Sequence, residues 1–232
     1  MRYRHLTGPI LRVEEVTSTQ DVARGYLEKH YAPSGHVVTV LARYQRSGRG
    51  RLGRRWLAPH GSAVLASLAF ASTGRPPWEY SLAAAVAVCR AVERFLPVPA
   101  AIKWPNDVLL DGGKLAGVLV EAGVSAGRPF VVVGAGINVR EAPLKSAACV
   151  ARYAPGVTVE EVASLFLAEL DDLLYRGDTV YAASEFARRL VVPAGCVFDG
   201  AVLAGASSGG LVVRWPGRLG QVPFAEAYGR VD

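Results

Sequence analysis

Between Gln45 and Trp56 the chain reads Gln-Arg-Ser-Gly-Arg-Gly-Arg-Leu-Gly-Arg-Arg-Trp, with arginines and glycines interleaved. Glycine lets a backbone turn tightly and come close to a ligand. Arginine presents a fixed fork of donors that suits phosphate and carboxylate. The run reads as a loop suited to wrapping a small anionic molecule. The formal net charge of the chain is +6, and six arginines with no acid fall between Arg43 and Trp56. The basic character is therefore concentrated in this segment. A basic chain can mean a nucleic-acid partner, but charge held in one glycine-rich loop, not along a helix or broad patch, argues weakly for it.

At 232 residues the chain is long enough for one or two domains with a real core. No apolar run approaches the ~18 residues of a membrane span. The basic start, Met1 to His5, has no apolar run behind it, so no secretory signal is expected. Cys89, Cys149 and Cys196 are far apart and form no Cys-x-x-Cys pair, which argues against a zinc site and a disulfide framework. A reducing cytoplasm is the expected compartment.

Ser18 followed by Asp21 marks a helix start, running to about His30. Strands are expected at His36–Ala42, Ser62–Phe70, Ala101–Trp104 and Pro129–Val139. Helices are expected at Ser81–Leu96, at Thr158–Arg176 behind the capping box Thr158-x-x-Glu161, and at Tyr181–Leu190. Val108–Leu110 and Leu115–Ala122 flank Asp111-Gly112-Gly113, a hairpin signature. After Pro193, glycines punctuate short apolar runs such as Leu211-Val212-Val213, the texture of a small all-β module reminiscent of SH3-like barrels. The expectation is an α/β (α+β) body, a mixed β-sheet with helices packed on it, over residues 1–190. A small β domain is expected over residues 191–232.

Lys103-Trp104-Pro105-Asn106-Asp107 is followed seven residues later by Lys114. In a two-residue hairpin the partner of Asp107 is Ala116 or Val118, depending on the turn, and either places Asp107 and Lys114 on one face. A lysine and a carboxylate there, near phosphate-suited arginines, can serve phosphoryl or nucleotidyl transfer. An ordinary surface ion pair is the plainer alternative. Gly134-Ala135-Gly136 lacks the third glycine of a dinucleotide fingerprint, and no clear helix follows. The two glycines either let a flat ring or a backbone approach the sheet closely, or mark a β-bulge. Trp56 is core or a ligand wall. The four histidines show no metal-ligand spacing.

Taken jointly, these motifs resemble the biotin protein ligase family. The matching elements are Ser18-Thr19-Gln20, Gln45-x-x-Gly48-Arg49-Gly50-Arg51-x-Gly53-Arg54-x-Trp56, Lys103 to Asp107, Lys114-x-x-Gly117-x-Leu119-x-Glu121, and Gly134-x-Gly136-Ile137-Asn138-Val139. The resemblance implies a class II aminoacyl-tRNA-synthetase-like fold and a two-step ligase. Biotin and ATP, with Mg²⁺, give biotinyl-5′-AMP; a lysine of a biotin carboxyl carrier protein then takes the biotin. It implies that Ser18, Thr19, Gln20, Gln45, Gly48, Arg49, Gly50, Arg51, Trp56, Lys114 and Gly117 hold biotin or the adenylate. Arg51, Arg54, Asn106, Asp107, Gly136 and Asn138 would serve ATP, with Arg51, Asp107 and Lys114 closest to the chemistry. No protein ligand for Mg²⁺ is assignable. Gln20 stands where many relatives have asparagine. The residues before Val16 are too few for a helix-turn-helix, so a ligase without a repressor role and without DNA is expected, as is a homodimer. A lipoate-type ligase shares the fold, and an RNA-binding module is the alternative from another class. That alternative leaves the Lys103–Asp107 motif and Lys114 unexplained.

Overall fold

A computed structural model describes residues 3–30, 35–71, 74–192, 197–198, 201–216 and 218–229. Eight strands form the main sheet: β1 (Ile10–Val16), β2 (Gly35–Gln45), β3 (Ala63–Ala71), β4 (Ala101–Lys103), β5 (Asp107–Leu110), β6 (Gly113–Ser125), β7 (Arg128–Asn138) and β8 (Leu190–Val191). Their order is β1-β2-β3-β7-β6-β5-β4-β8. β1 runs parallel to β2 and β4 parallel to β8, while the other pairs are antiparallel. The expected mixed sheet with helices is thus observed.

β3 sits in the middle, and all nine of its residues are buried. Its alternation feeds two cores, because successive side chains point to opposite faces. Val64, Ala66, Leu68 and Phe70 pack under a helical layer made of α2 (Pro77–Glu93), α3 (Val159–Arg176) and α4 (Thr179–Arg189). Ala69 and Ala71 pack with Ala23 and Leu27 of α1 (Thr19–Lys29) on the other face. All five alanines of α2, among them Ala84 and Ala87, are buried, so the helix lies close to its neighbours. α3 opens with the expected capping box: Thr158 Oγ1 accepts the Glu161 N–H at 3.2 Å, and Glu161 accepts the Thr158 N–H at 2.8 Å.

Several expectations need correction. Ser18 caps α1 by accepting the Gln20 N–H at 3.3 Å, but Asp21 does not complete a capping box; it faces Arg49 instead. α2 and α4 begin earlier than expected, at Pro77 and Thr179, the latter capped by Asp178. β7 pairs regularly with β3 and β6 through Gly134 and Gly136, so no bulge lies there. The β5–β6 turn uses Asp111 and Gly112, both at positive φ, as a two-residue hairpin requires. Beyond it the ladder slips once between Val108 and Leu109. Leu109 faces Lys114 as the turn dictates, but beyond the slip Asp107 faces Gly117, not Ala116 or Val118. Leu115 and Ala116 both enter the core at the slip.

After β8 the chain forms a second, four-stranded sheet of β9 (Val197–Phe198), β10 (Ala201–Ser207), β11 (Gly210–Trp215) and β12 (Arg218–Pro223), ordered β12-β11-β10-β9. Pro193, Gly195, Gly200 and Gly217 lie outside the described residues. The module is not all-β: a short helix, α5 (Phe224–Gly229), follows β12. Its Phe224 and Ala227, with Leu211 and Val213 of β11, join the same continuous core as the helical layer.

Candidate active site

A cleft opens on the α1 face of the sheet. It is lined by Ser18, Thr19 and Gln20 at the start of α1, Gln45 at the end of β2, and the arginine loop from Arg49 to Trp56. Asn106 and Asp107 before and at the start of β5, Lys114 and Gly117 of β6, and Gly134 and Gly136 of β7 complete it. Five segments distant in sequence therefore converge, as the sequence motifs predict.

One end of the cleft is a compact polar floor. Gln45 Oε1 accepts from the Thr19 N–H at 2.7 Å and from Thr19 Oγ1 at 2.9 Å. Thr19 Oγ1 also lies 2.7 Å from Ser67 Oγ. Gln20 is buried, and neither its carboxamide oxygen nor its nitrogen has a partner among the described residues. A buried amide left unsatisfied is costly, so this group is poised for a ligand that offers both a donor and an acceptor. It fits only because Gly134 lacks a side chain: a Cβ there would lie 2.9 Å from Gln20 Oε1. Gly136 does the same for Trp56, whose indole lies flat where a Cβ would be, and the buried Trp56 Nε1 also has no partner among the described residues. At Gly136 the flat ring is thus supplied by the chain itself, while Gly134 makes room for the Gln20 carboxamide.

The other side is cationic. The arginine loop closes on itself through Gly50 N–H to Arg54 O at 2.7 Å and Trp56 N–H to Gly48 O at 2.9 Å. Leu52 stands exposed at its tip in the left-handed conformation. Arg49 donates to Asp21 at 2.7 Å and reaches Glu121 at 3.4 Å. The hydrogen bond to Asp21 and the nearby carboxylate of Glu121 push the Arg49 pKa up, so its charge is fixed. Lys114 Nζ lies 2.6 Å from Asp107 Oδ1 and 5.8 Å from the centre of the Trp56 ring. The shared face comes about through Leu109: it pairs with Lys114, and Asp107 lies two residues away on the same side of β5.

Two residues expected at the site do not line the cleft. Gly48 lies behind Trp56, where a Cβ would meet the Trp56 carbonyl oxygen at 2.6 Å. Asn138 is buried beneath, donating to Ala148 O at 3.1 Å and Lys114 O at 3.4 Å, which ties the 140–148 segment to β6. Asn106 lines the cleft but commits its Nδ2 to Val118 O at 2.7 Å, bracing the turn that carries Asp107. Sequence reasoning missed Ser67, Asp21 and the pairing of Arg49 with Glu121. It also missed Tyr228, whose ring lies 5.5 Å from the Arg51 guanidinium. Among the described residues no cluster of three or more His, Cys, Asp or Glu is arranged to hold a metal. No helix among them is long and apolar enough to cross a membrane.

Residues 13–138 match the model of the Biotin/lipoate A/B protein ligase family. The chain is 44% identical over 112 residues to a protein of Mycobacterium tuberculosis named biotin–[acetyl-CoA-carboxylase] ligase, covering 46% of this chain and 41% of that protein. It is 44% identical over 109 residues to a protein of the same name from Paracoccus denitrificans, covering 45% of each. The matches thus span less than half the length of these curated relatives. The fold is similar to that of a biotin protein ligase from Aquifex aeolicus in complex with biotin and ATP, with a TM-score of 0.72 and 23% identity over 94% of this chain and 97% of that one.

Proposed function

Because the chain belongs to the biotin/lipoate A/B protein ligase family, we propose that it is a biotin protein ligase, activating biotin with MgATP and passing it to a lysine of a biotin carboxyl carrier protein. The observation that carries this reading is the division of one cleft into two chemistries. At one end, Ser18, Thr19, Gln20 and Gln45 surround a place for a small donor–acceptor group such as the ureido ring of biotin. At the other end, Arg51, Arg54 and Lys114 face a place for phosphates.

In the first half-reaction a biotin carboxylate oxygen attacks the α-phosphorus of ATP, and pyrophosphate leaves. Two anions must meet while charge builds on the phosphoryl oxygens. Arg51 and Lys114 offset that charge, and Arg54 meets the phosphates at the rim. Mg²⁺ enters as part of the nucleotide substrate and neutralises phosphate charge. Trp56 walls the site and limits water around the mixed anhydride that forms. In the second half-reaction the acceptor lysine nitrogen attacks the acyl carbon, AMP leaves, and the amine loses a proton. A free lysine has a reference pKa near 10.4, so fewer than about one in a thousand is neutral at pH 7. Asp107, at the rim beside Lys114, orients that amine and accepts its proton.

The same reading includes a body over residues 1–190, a C-terminal SH3-like barrel over residues 191–232, and work in the cytoplasm where ATP is supplied. It also includes a homodimer. The outer edge of β1, which pairs with no other strand among the described residues, supports pairing with a second copy. Incubation with labelled biotin, MgATP and a biotin carboxyl carrier domain tests the central claim. A labelled acceptor lysine is expected, and none with lipoate in place of biotin. A folded chain that labels no acceptor overturns the reading.

A further inference from the structure

Arg51 opens the short turn that ends at Gly53, and its carbonyl accepts the Arg54 N–H at 3.1 Å. Its neighbour Arg49 is held by carboxylates, at 2.7 Å from Asp21 and 3.4 Å from Glu121. Arg51 has a different neighbour in the C-terminal module: the Tyr228 ring, with the guanidinium carbon 5.5 Å from its centre. The distinction matters chemically. A carboxylate orients an arginine but competes with phosphate for its charge and its donors. An aromatic face attracts the cation without bringing a negative charge of its own to the phosphate end.

The ring is fixed from behind. Phe224 of α5 stacks on Trp104 at 5.8 Å, and Tyr228 meets the same indole edge-on at 6.5 Å. Phe186 of α4 packs edge-on against both Trp104 and Phe224, at 5.9 and 5.8 Å. Trp104 lies in the turn that carries Asp107, so one aromatic block touches both sides of the cleft mouth.

We propose that Tyr228 is a positioning residue for Arg51: the C-terminal helix seats its ring on Trp104 and holds the guanidinium at the phosphate end of the cleft. The proposal rests on the ligase reading above and gives the C-terminal module a defined part in it. α5 completes the nucleotide side of the site, and the polar floor at Thr19 and Gln45 does not depend on it.

The test uses the full chain and measures biotinyl-5′-AMP formation against ATP and biotin concentration, together with transfer to the acceptor from added biotinyl-5′-AMP. Tyr228→Leu keeps apolar bulk against Trp104 and removes the ring face; Tyr228→Phe keeps the ring and removes the hydroxyl. The leucine variant is expected to raise the KM for ATP about five- to tenfold, a size consistent with a partly desolvated cation–π contact. The KM for biotin and the transfer rate should stay within about twofold, and phenylalanine should restore the wild-type KM for ATP. Equal rises in both KM values, no rise at all, or a phenylalanine variant as impaired as leucine each overturn the proposal. A wild-type chain that makes no adenylate overturns the ligase reading itself. Wild-type activity with an unaffected leucine variant overturns only this inference.

Discussion

The Trp56 indole occupies the space that a side chain on Gly136 would need: a Cβ there would lie 2.3 Å from Trp56 Cε2 and 2.6 Å from its Nε1. Gly136 pairs with Leu65 on one side and Gly117 on the other, so its backbone cannot retreat without breaking two ladders. The ring must move instead, and the ring is the wall beside Lys114. Gly136→Ala should cost about 1–3 kcal/mol, as overpacking does. Adenylate formation should fall at least about tenfold through the displaced wall. Thermal melts and single-turnover biotinyl-5′-AMP assays check the two effects. Unchanged melting and activity together would mean that the indole swings aside freely.

The proposed role of Asp107 as the base for the acceptor amine is tested by comparing the two half-reactions. Its carboxylate lies 2.6 Å from Lys114 Nζ and is about one-quarter exposed, which leaves it open to an incoming amine. Asp107→Asn keeps the size and removes the basic oxygen. Adenylate should form within about threefold of the normal rate, while transfer to the carrier slows about 100-fold, the scale of a lost general base. Quenched-flow measurement of each step decides the matter. If only adenylation suffers, Asp107 acts on the first step by holding Lys114.

The parts of this site that were legible in the sequence are local. Ser18 before the helix, Lys103 to Asp107 and the paired glycines of β7 each carry their signal within a few residues. What was not legible depends on distant partners or on exceptions to a period. Glu14 and Glu15 break the alternation of β1, because an edge strand has few buried positions to enforce it. Counting residues from the hairpin turn assumes an unbroken ladder, so the slip at Leu109 moved the partner of Asp107 by one residue. The six residues of α5 are too few to show a helical period. Its aromatic residues gain their meaning only from Trp104, over a hundred positions earlier.

Arg49 ties the arginine loop to α1 and β6. The Asp21 and Glu121 side chains are each more than one-third exposed, so the pairs contribute little to global stability, on the order of 1 kcal/mol or less. Their effect should be local. Asp21→Ala should leave the melting temperature within a few degrees yet speed trypsin cleavage between Arg46 and Arg55 several-fold in the absence of ligand. Biotin with MgATP should slow that cleavage in both proteins, because an anionic adenylate gives the loop arginines a counter-charge to close around. Limited proteolysis followed by mass spectrometry reads the sites. Equal cleavage of wild type and variant would assign loop closure to its internal hydrogen bonds alone.

His36 predicts a dependence of stability on pH away from the cleft. Its Nδ1 accepts the Gly8 N–H at 2.9 Å, and its Nε2 lies 3.0 Å from Thr39 Oγ1, so the neutral ring carries its proton on Nε2. Burial, with a lesser contribution from His5, lowers its pKa to about 4, against the hydrogen bond at Val38 and the charge of Asp171. Protonation would break the bond to Gly8. The unfolded chain takes up that proton near pH 6.5 and the folded chain only near 4, so between these values the unfolded state binds more protons. Stability is therefore full above pH 6.5 and declines as pH falls toward 4. From pH 7 to pH 5 this one group should remove about 2 kcal/mol. His36→Gln retains an acceptor for Gly8 and a donor for Thr39 but does not titrate. Urea unfolding at both values should show a loss smaller by about 2 kcal/mol in the variant. Equal losses would mean that His36 gains its proton without cost in the fold.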